Sequence, residues 1–161
     1  MVDGYDEDQS FLSRLLKRIP GFGGYVDQES RQKNDEQTRD FLASQLQNVK
    51  GNIDSYAKQL VEQMRLDDVG QCEKLRDQAD TLIQRLKSRI PGYSSFFGSP
   101  KIDEDRLEDV YDCDANLMDE AEELERASTN IASEANLTSI RQHLDRIQSM
   151  VNEREKMLSE L

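Results

Sequence analysis

The sequence contains no tryptophan and few of the residues that build cofactor or metal sites. The chain has 3 Pro, 2 Cys and 1 His among its 161 residues. Two thiols, Cys72 and Cys113, are too few for a disulfide framework or for a zinc site on their own. The single histidine, His143, follows Ile140 by three residues where a di-iron bundle would need glutamate. We therefore predict no metal, no cofactor and no disulfide.

Long hydrophobic runs are also missing, and the charge is strongly of one sign. No segment approaches the ~18 apolar residues of a membrane-spanning helix. The first ten residues are acidic, unlike a secretory signal or a transit peptide, which predicts a cytoplasmic protein. The 33 acidic and 21 basic residues give a net charge of -12. Because such a surface repels phosphates, nucleic acid is not an expected partner.

Apolar residues instead recur every three or four positions, the spacing that places them on one face of a helix. Four such stripes are present: Leu46, Val49, Ile53, Tyr56, Leu60; Cys72, Leu75, Ala79, Leu82, Leu86; Leu107, Val110, Asp114, Leu117, Ala121, Leu124, Ser128, Ile131; and Leu137, Ile140, Leu144, Ile147, Val151, Arg154, Leu158, Leu161. No window alternates with the two-residue period of a strand. The pattern predicts an all-α, antiparallel helical bundle resembling a coiled coil, with about four long helices and a short N-terminal helix.

Breaks in the pattern divide the chain into helices near 9–19, 27–66, 71–90, 103–134 and 137–160. The breaks predicted are Pro20-Gly21, Pro91-Gly92, a turn at 67–70 in which Asp68 caps the next helix, and a last helix that starts at Asn136 or Ser139. Residues 1–10 are expected to be an acidic disordered terminus, and 11–161 a single bundle domain. That domain contains two related units, at about 14–66 and 85–134.

The two units share an internal repeat. Residues 14–25 read RLLKRIPGFGGY and residues 85–96 read RLKSRIPGYSSF. Each copy is followed by a β-branched residue and an aspartate, Asp27 or Asp103, suited to cap the next helix. Basic residues concentrate here: 11–25 holds three and 81–102 holds four, with no acidic residue in either range.

The repeat has two interpretations. Its aromatic residues either close the end of the bundle, or they and the basic residues bind a partner or an anionic membrane surface. For the second interpretation the candidate contact residues are Arg14, Lys17, Arg18, Phe22, Tyr25, Arg85, Lys87, Arg89, Tyr93 and Phe96.

Part of the sequence resembles a bacterial family of small helical proteins of unknown function. The resemblance lies in Ile19-Pro20-Gly21-Phe22-x-Gly24-Tyr25 with Glu29, Arg31, Asp35 and Arg39, and in Phe96-Phe97, Lys101-Ile102, Glu104, Leu107, Tyr111, Asp114 and Leu117. It covers about residues 12–125. The family has Tyr at the place of Phe22 and a more basic stretch over 26–33. The resemblance implies a helical bundle and no particular activity.

The sequence contains no complete motif for metal binding or nucleophilic catalysis. Asp112 to Glu123 matches the acidic positions of a calcium loop but has Leu117 where the loop needs glycine, and it lies within a helical stripe. Cys72 occupies an apolar stripe position, and the two aspartates beside Cys113 would raise the pKa of its thiol and not activate it. More informative are Asp114 and Arg154, which occupy inward stripe positions and form a candidate buried ion pair.

The sequence therefore predicts a non-enzymatic interaction or scaffold module in the cytoplasm. A protein partner or self-association is expected. The alternative is a peripheral membrane-surface protein that binds through the two cationic aromatic segments, 11–25 and 81–102.

Overall fold

A computed structural model describes residues 13–23, 30–88 and 104–159. Over these ranges the chain is 89% helical with no strand, which confirms the all-α bundle. Several predicted features fall outside them: the terminus at 1–10, the aromatic residues Tyr25, Tyr93 and Phe96, the cation Arg89, and the caps Asp27 and Asp103. None of the described helices is both long and apolar enough to cross a membrane.

The helices follow the apolar stripes. They are α1 (helical over 13–18), α2 (Arg31–Glu62), α3 (Leu66–Lys87), α4 (Glu104–Thr129) and α5 (Glu134–Ser159). The inward positions of each long helix are almost completely buried, as at Val49, Leu82, Leu117 and Leu144. Burial of these side chains stabilises the helices, because each fully buried Val or Leu side chain contributes about 1.5–3 kcal/mol relative to an exposed one.

Four long helices form two antiparallel hairpins, α2–α3 and α4–α5, that lie side by side. The hairpins meet through α2 with α4 and through α3 with α5. Helices α3 and α5 are parallel, since Gln71 bonds to Glu134 near the start of both helices and Arg85 bonds to Asn152 near their ends. Because each hairpin is antiparallel, α2 and α4 are parallel as well. The short connections between α2 and α3 and between α4 and α5 thus make the two helices of each hairpin antiparallel neighbours. The longer connection between α3 and α4 joins helices on opposite corners of the bundle.

The turn between α2 and α3 is not where the sequence predicted it. It occupies Gln63 to Arg65, and the predicted turn at 67–70 is helical. Met64 has φ 60, and the amides of Met64 and Arg65 donate to the carbonyls of Val61 and Leu60. These two bonds form a Schellman motif, which usually places glycine in the left-handed position. The sequence did not predict this turn because the left-handed position is occupied by Met64, whereas a glycine there would have marked the end of the helix.

The start of α5 also differs from the prediction. The helix begins at Glu134, before both predicted starts. Asn136 lies in the first turn of α5, and its Oδ1 accepts hydrogen bonds from the amides of Ala132 and Ser133. At α3, likewise, Arg65 occupies the cap position and Asp68 pairs with it from the first turn. The predicted cap at Asp68 is therefore wrong.

Candidate functional site

The interior of the bundle contains a cluster of four charged side chains, here called the charge cluster: Asp35, Arg39, Asp114 and Arg154. Arg154 Nε donates to Asp114 Oδ1 over 2.6 Å, and Arg154 Nη2 donates to Asp35 Oδ1 over 2.5 Å. Arg39 Nε donates to Asp35 Oδ2 over 2.8 Å. Both aspartates are fully buried and Arg154 is 3% exposed. The cluster thus joins α2, α4 and α5 through one guanidinium group.

The structure brings together the two residues that the sequence singled out, Asp114 and Arg154. Sequence reasoning missed Asp35, although it lies on the α2 stripe continued backward from Leu46 through Leu42 and Thr38. Because Thr38 and Asp35 are polar, apolar periodicity does not reveal that these positions face inward. Arg39 pairs with Asp35 and donates to the Leu86 carbonyl over 2.7 Å.

The charges within the cluster balance, two positive against two negative. Burial alone opposes ionisation of Asp35, but the guanidinium groups of Arg154 and Arg39 outweigh that effect and lower the pKa of the carboxyl below its ordinary value of 3.8. Asp35 is therefore ionised at neutral pH. Every charge in the cluster has an oppositely charged partner, which is the condition for keeping charges inside a protein.

Because the pKa of Asp35 is lowered in the folded protein, the free energy of unfolding depends on pH. Its contribution is fully present above the unfolded value near 3.8 and is lost as pH falls through the lower folded pKa. We expect the free energy of unfolding to decrease between about pH 5 and about pH 2, with Asp35→Asn less sensitive over that window. Urea unfolding at each pH measures this. Parallel curves for the two proteins would contradict the assignment.

A cavity of about 20 Å³ lies beside the charge cluster, lined by Arg39, Arg85, Leu86, Ser88, Val151, Arg154, Glu155 and Leu158. This volume suits one water molecule and is too small for a metabolite. Three arginines line it, and all three are engaged in bonds to carboxylates, an amide oxygen or a backbone carbonyl. The arrangement can hold helices in register; it offers no space for a substrate.

The thiols and the histidine are placed for packing. Burial, followed by the charge of Asp114, raises the pKa of the Cys113 thiol to about 12, and burial also raises that of Cys72. Both thiols are therefore protonated and weakly nucleophilic at neutral pH. His143 Nδ1 lies 2.5 Å from Glu120 Oε1 between α4 and α5. No group of three or more ligating side chains that could hold a metal occurs in the described ranges.

The first repeat copy is seen in residues 13–23, here called the N-terminal strap. Leu15, Ile19 and Phe22 are 0%, 2% and 5% exposed. Arg14 pairs with Asp119, and Arg18 lies 2.8 Å from both Asp119 and Glu122 on α4. Phe22 therefore belongs to the hydrophobic core. Of the three strap cations, Arg14 and Arg18 neutralise acidic residues of the neighbouring helix, and Lys17 is exposed.

The described start of the second copy, residues 85–88, has an equivalent environment. Arg85 lies 2.9 Å from Glu155, Leu86 is buried like Leu15, and Lys87 is exposed. Both copies lie near the same part of α2, since Gly23 donates to Asn34 and Leu86 accepts from Arg39. The described parts of the repeat therefore meet at one end of the bundle. Their arginines face acidic residues of this same chain.

A second surface feature was not predicted. Three of the four large apolar side chains that the described ranges expose lie at the turn between α2 and α3: Val61 (50% exposed), Met64 (79%) and Leu66 (60%). We call these three residues the apolar turn. It lies at the opposite end of α2 from the charge cluster. A sequence signal existed, because these apolar residues lie off the inward stripes of α2 and α3.

Comparison with known proteins found no family model that matches the chain, and no significant match among curated proteins or solved structures. The family resemblance in the sequence therefore stays a prediction.

Proposed function

We propose that the protein is a non-enzymatic interaction module, a rigid helical bundle that contacts a partner protein through the apolar turn. The observation that carries the proposal is Met64, an apolar side chain that is 79% exposed at a left-handed backbone position. A β-carbon makes this conformation unfavourable by ~1–2 kcal/mol, so glycine is the usual residue at such a helix end.

Met64 is therefore unfavourable on two counts, backbone conformation and exposure of apolar surface. Local choices that oppose stability are concentrated at functional sites. Methionine is also flexible and polarizable, which suits contact surfaces that adapt to a partner. The charge cluster supports the same function, because it fixes three helices in register and keeps the turn at the end of a rigid body.

The charge around the apolar turn favours a protein partner over an anionic membrane. Within residues 61–68 there are three acidic residues, Glu62, Asp67 and Asp68, against Arg65 alone. An anionic lipid surface repels this distribution, whereas an apolar pocket with a basic rim complements it. Self-association through the same turn would bring like charges together.

The substitution Met64→Gly is expected to change the stability of the fold and the binding of the partner in opposite directions. Glycine relieves the left-handed strain, so we expect the free energy of unfolding to rise by about 0.5–1 kcal/mol, as measured by urea unfolding. Contact with the partner should weaken at the same time, because the most exposed apolar side chain is lost. A mutation that stabilises the fold and reduces binding cannot act through unfolding.

The contact is measured by photo-crosslinking in native cells, with a photoreactive residue at Gln63 and, as control, at Ser149, which is exposed on α5. One discrete crosslinked product is expected from position 63, and much less of it when Met64→Gly is combined with the label. No product at position 63, or the same product from position 149, would contradict the proposal.

A further inference from the structure

We propose that the surface of α2 and α4 beneath the N-terminal strap is a binding site for a basic amphipathic helix of a second protein, and that the strap competes for it from within the chain. The site is independent of the apolar turn, which lies at the other end of α2, so each proposal can fail alone.

The strap binds in the manner of a helix in a groove. Leu15 lies in the helical segment 13–18, Ile19 follows it directly, and Phe22 follows the turn at Pro20-Gly21; all three are buried. On α4, Ala115 and Met118 are 0% and 1% exposed. Both lie outside the inward stripe of α4, on the side that also carries Asp119 and Glu122. The four-helix core alone does not require apolar residues on that side.

Charge complementarity defines the partner. Arg14 and Arg18 stand one turn apart on the strap and pair with Asp119 and Glu122 on α4. The hydrogen bond from Arg126 and the charge of Arg18 lower the pKa of Glu122, which keeps it ionised. Eleven of the residues of α4 are acidic and two are basic. A helix that binds here therefore needs apolar anchors flanked by basic residues.

The strap occupies the site imperfectly. Its helix gives way to Pro20-Gly21, and Gly21 has φ +77. Close to Gly21, Gln37 Oε1 is buried without a hydrogen-bond partner, although Gln37 Nε2 would lie 3.0 Å from a β-carbon at that glycine. An unsatisfied buried acceptor is unfavourable. A partner helix that supplies a donor at this point would satisfy an atom that the strap leaves unpaired.

The strap is also held in a way that permits exchange. Its ion pairs are accessible to water, with side-chain exposures of 28–33% for the arginines and 39–42% for the acids. Such pairs are weakened by salt. Leu16 is 48% exposed beside Leu15. Three anchors on a short segment are a small contact compared with those joining the four long helices, so local opening of the strap precedes global unfolding.

A protein helix fits the site better than a lipid surface does. The groove is lined by acidic residues that repel anionic headgroups, and the apolar residues of the strap face the bundle. A second copy of this chain is the less favoured occupant. Its strap is already held in its own groove at the millimolar effective concentration that a short connection provides.

The test uses the full-length chain and a fluorescent peptide with the sequence of residues 9–26 as the probe. Leu15→Ser with Ile19→Ser weakens the strap of the protein, and Leu16→Ser is the matched control at the exposed neighbouring position. We expect the weakened variant to bind the peptide at least about tenfold more tightly than the wild type or the control, because competition from within the chain is removed. Fluorescence anisotropy measures the affinity.

Charge reversal tests the specificity of the groove. Adding Asp119→Lys to the weakened variant should lower peptide affinity about tenfold or more, and salt should reduce the difference. If Leu15→Ser with Ile19→Ser fails to fold, Arg14→Glu with Arg18→Glu weakens the strap without touching the core. Circular dichroism and thermal melting establish that each variant is folded.

Three outcomes would overturn the proposal. The first is a folded, weakened variant that does not bind the peptide. The second is light scattering showing that the wild-type chain dimerises by exchanging straps, which would make the second copy the occupant. The third is a peptide that binds vesicles of anionic phosphatidylglycerol but not the protein, which would assign the segment to membranes.

Discussion

Asp114→Ala is expected to lower the free energy of unfolding by about 3–5 kcal/mol, because it leaves the Arg154 guanidinium buried with one carboxylate fewer. Asp114 is fully buried and lies 2.6 Å from Arg154, which is 3% exposed. The remaining carboxylate, Asp35, is already shared with Arg39. Removal of Asp114 therefore leaves a net positive charge inside the bundle.

Asp112→Ala is the matched control for this loss. Asp112 lies two residues away on the same helix, is exposed, and makes a weak 3.4 Å contact with Asn116. Exposed substitutions of this kind change stability by less than about 0.5 kcal/mol. Urea unfolding of both variants measures the difference. Equal losses would show that Asp114 does not act as a buried ion.

The double variant Asp114→Leu with Arg154→Met is expected to be much more stable than either single variant. Each single change strands a buried charge and should cost about 3–5 kcal/mol. The double change removes one positive and one negative charge together and leaves Asp35 paired with Arg39 over 2.8 Å. The remaining charges of the cluster then balance, and apolar side chains fill the space.

The measurement is a double-mutant cycle in urea. We expect the loss in the double variant to be at least about 2 kcal/mol smaller than the sum of the two single losses, the coupling typical of groups that share a buried network. Additive losses would mean that the two residues contribute separately. A double variant as stable as the wild type would show that the ion pair adds no net stability relative to apolar side chains.

Helix content and the inward positions were readable from the sequence because they depend on local periodicity. Stripes such as Leu137 to Leu158 specify which face of a helix is buried, whatever it packs against. The same periodicity placed Asp114 and Arg154 inside, and burial of two opposite charges implied that they pair. Ends of helices were less predictable. Met64 terminates α2 where no glycine or proline marks the turn.

The partners of the buried charges were decided by the tertiary structure. Arg154 meets Asp35 across 119 positions of sequence only because α5 returns beside the start of α2. The strap illustrates the same limit: the sequence left open whether its basic residues form a binding surface, and the fold places Arg14 and Arg18 on acidic residues of α4. Composition and spacing determine which faces are apolar and which charges are near in sequence. Packing decides which charges neutralise one another, since that depends on distances between helices that no local pattern encodes.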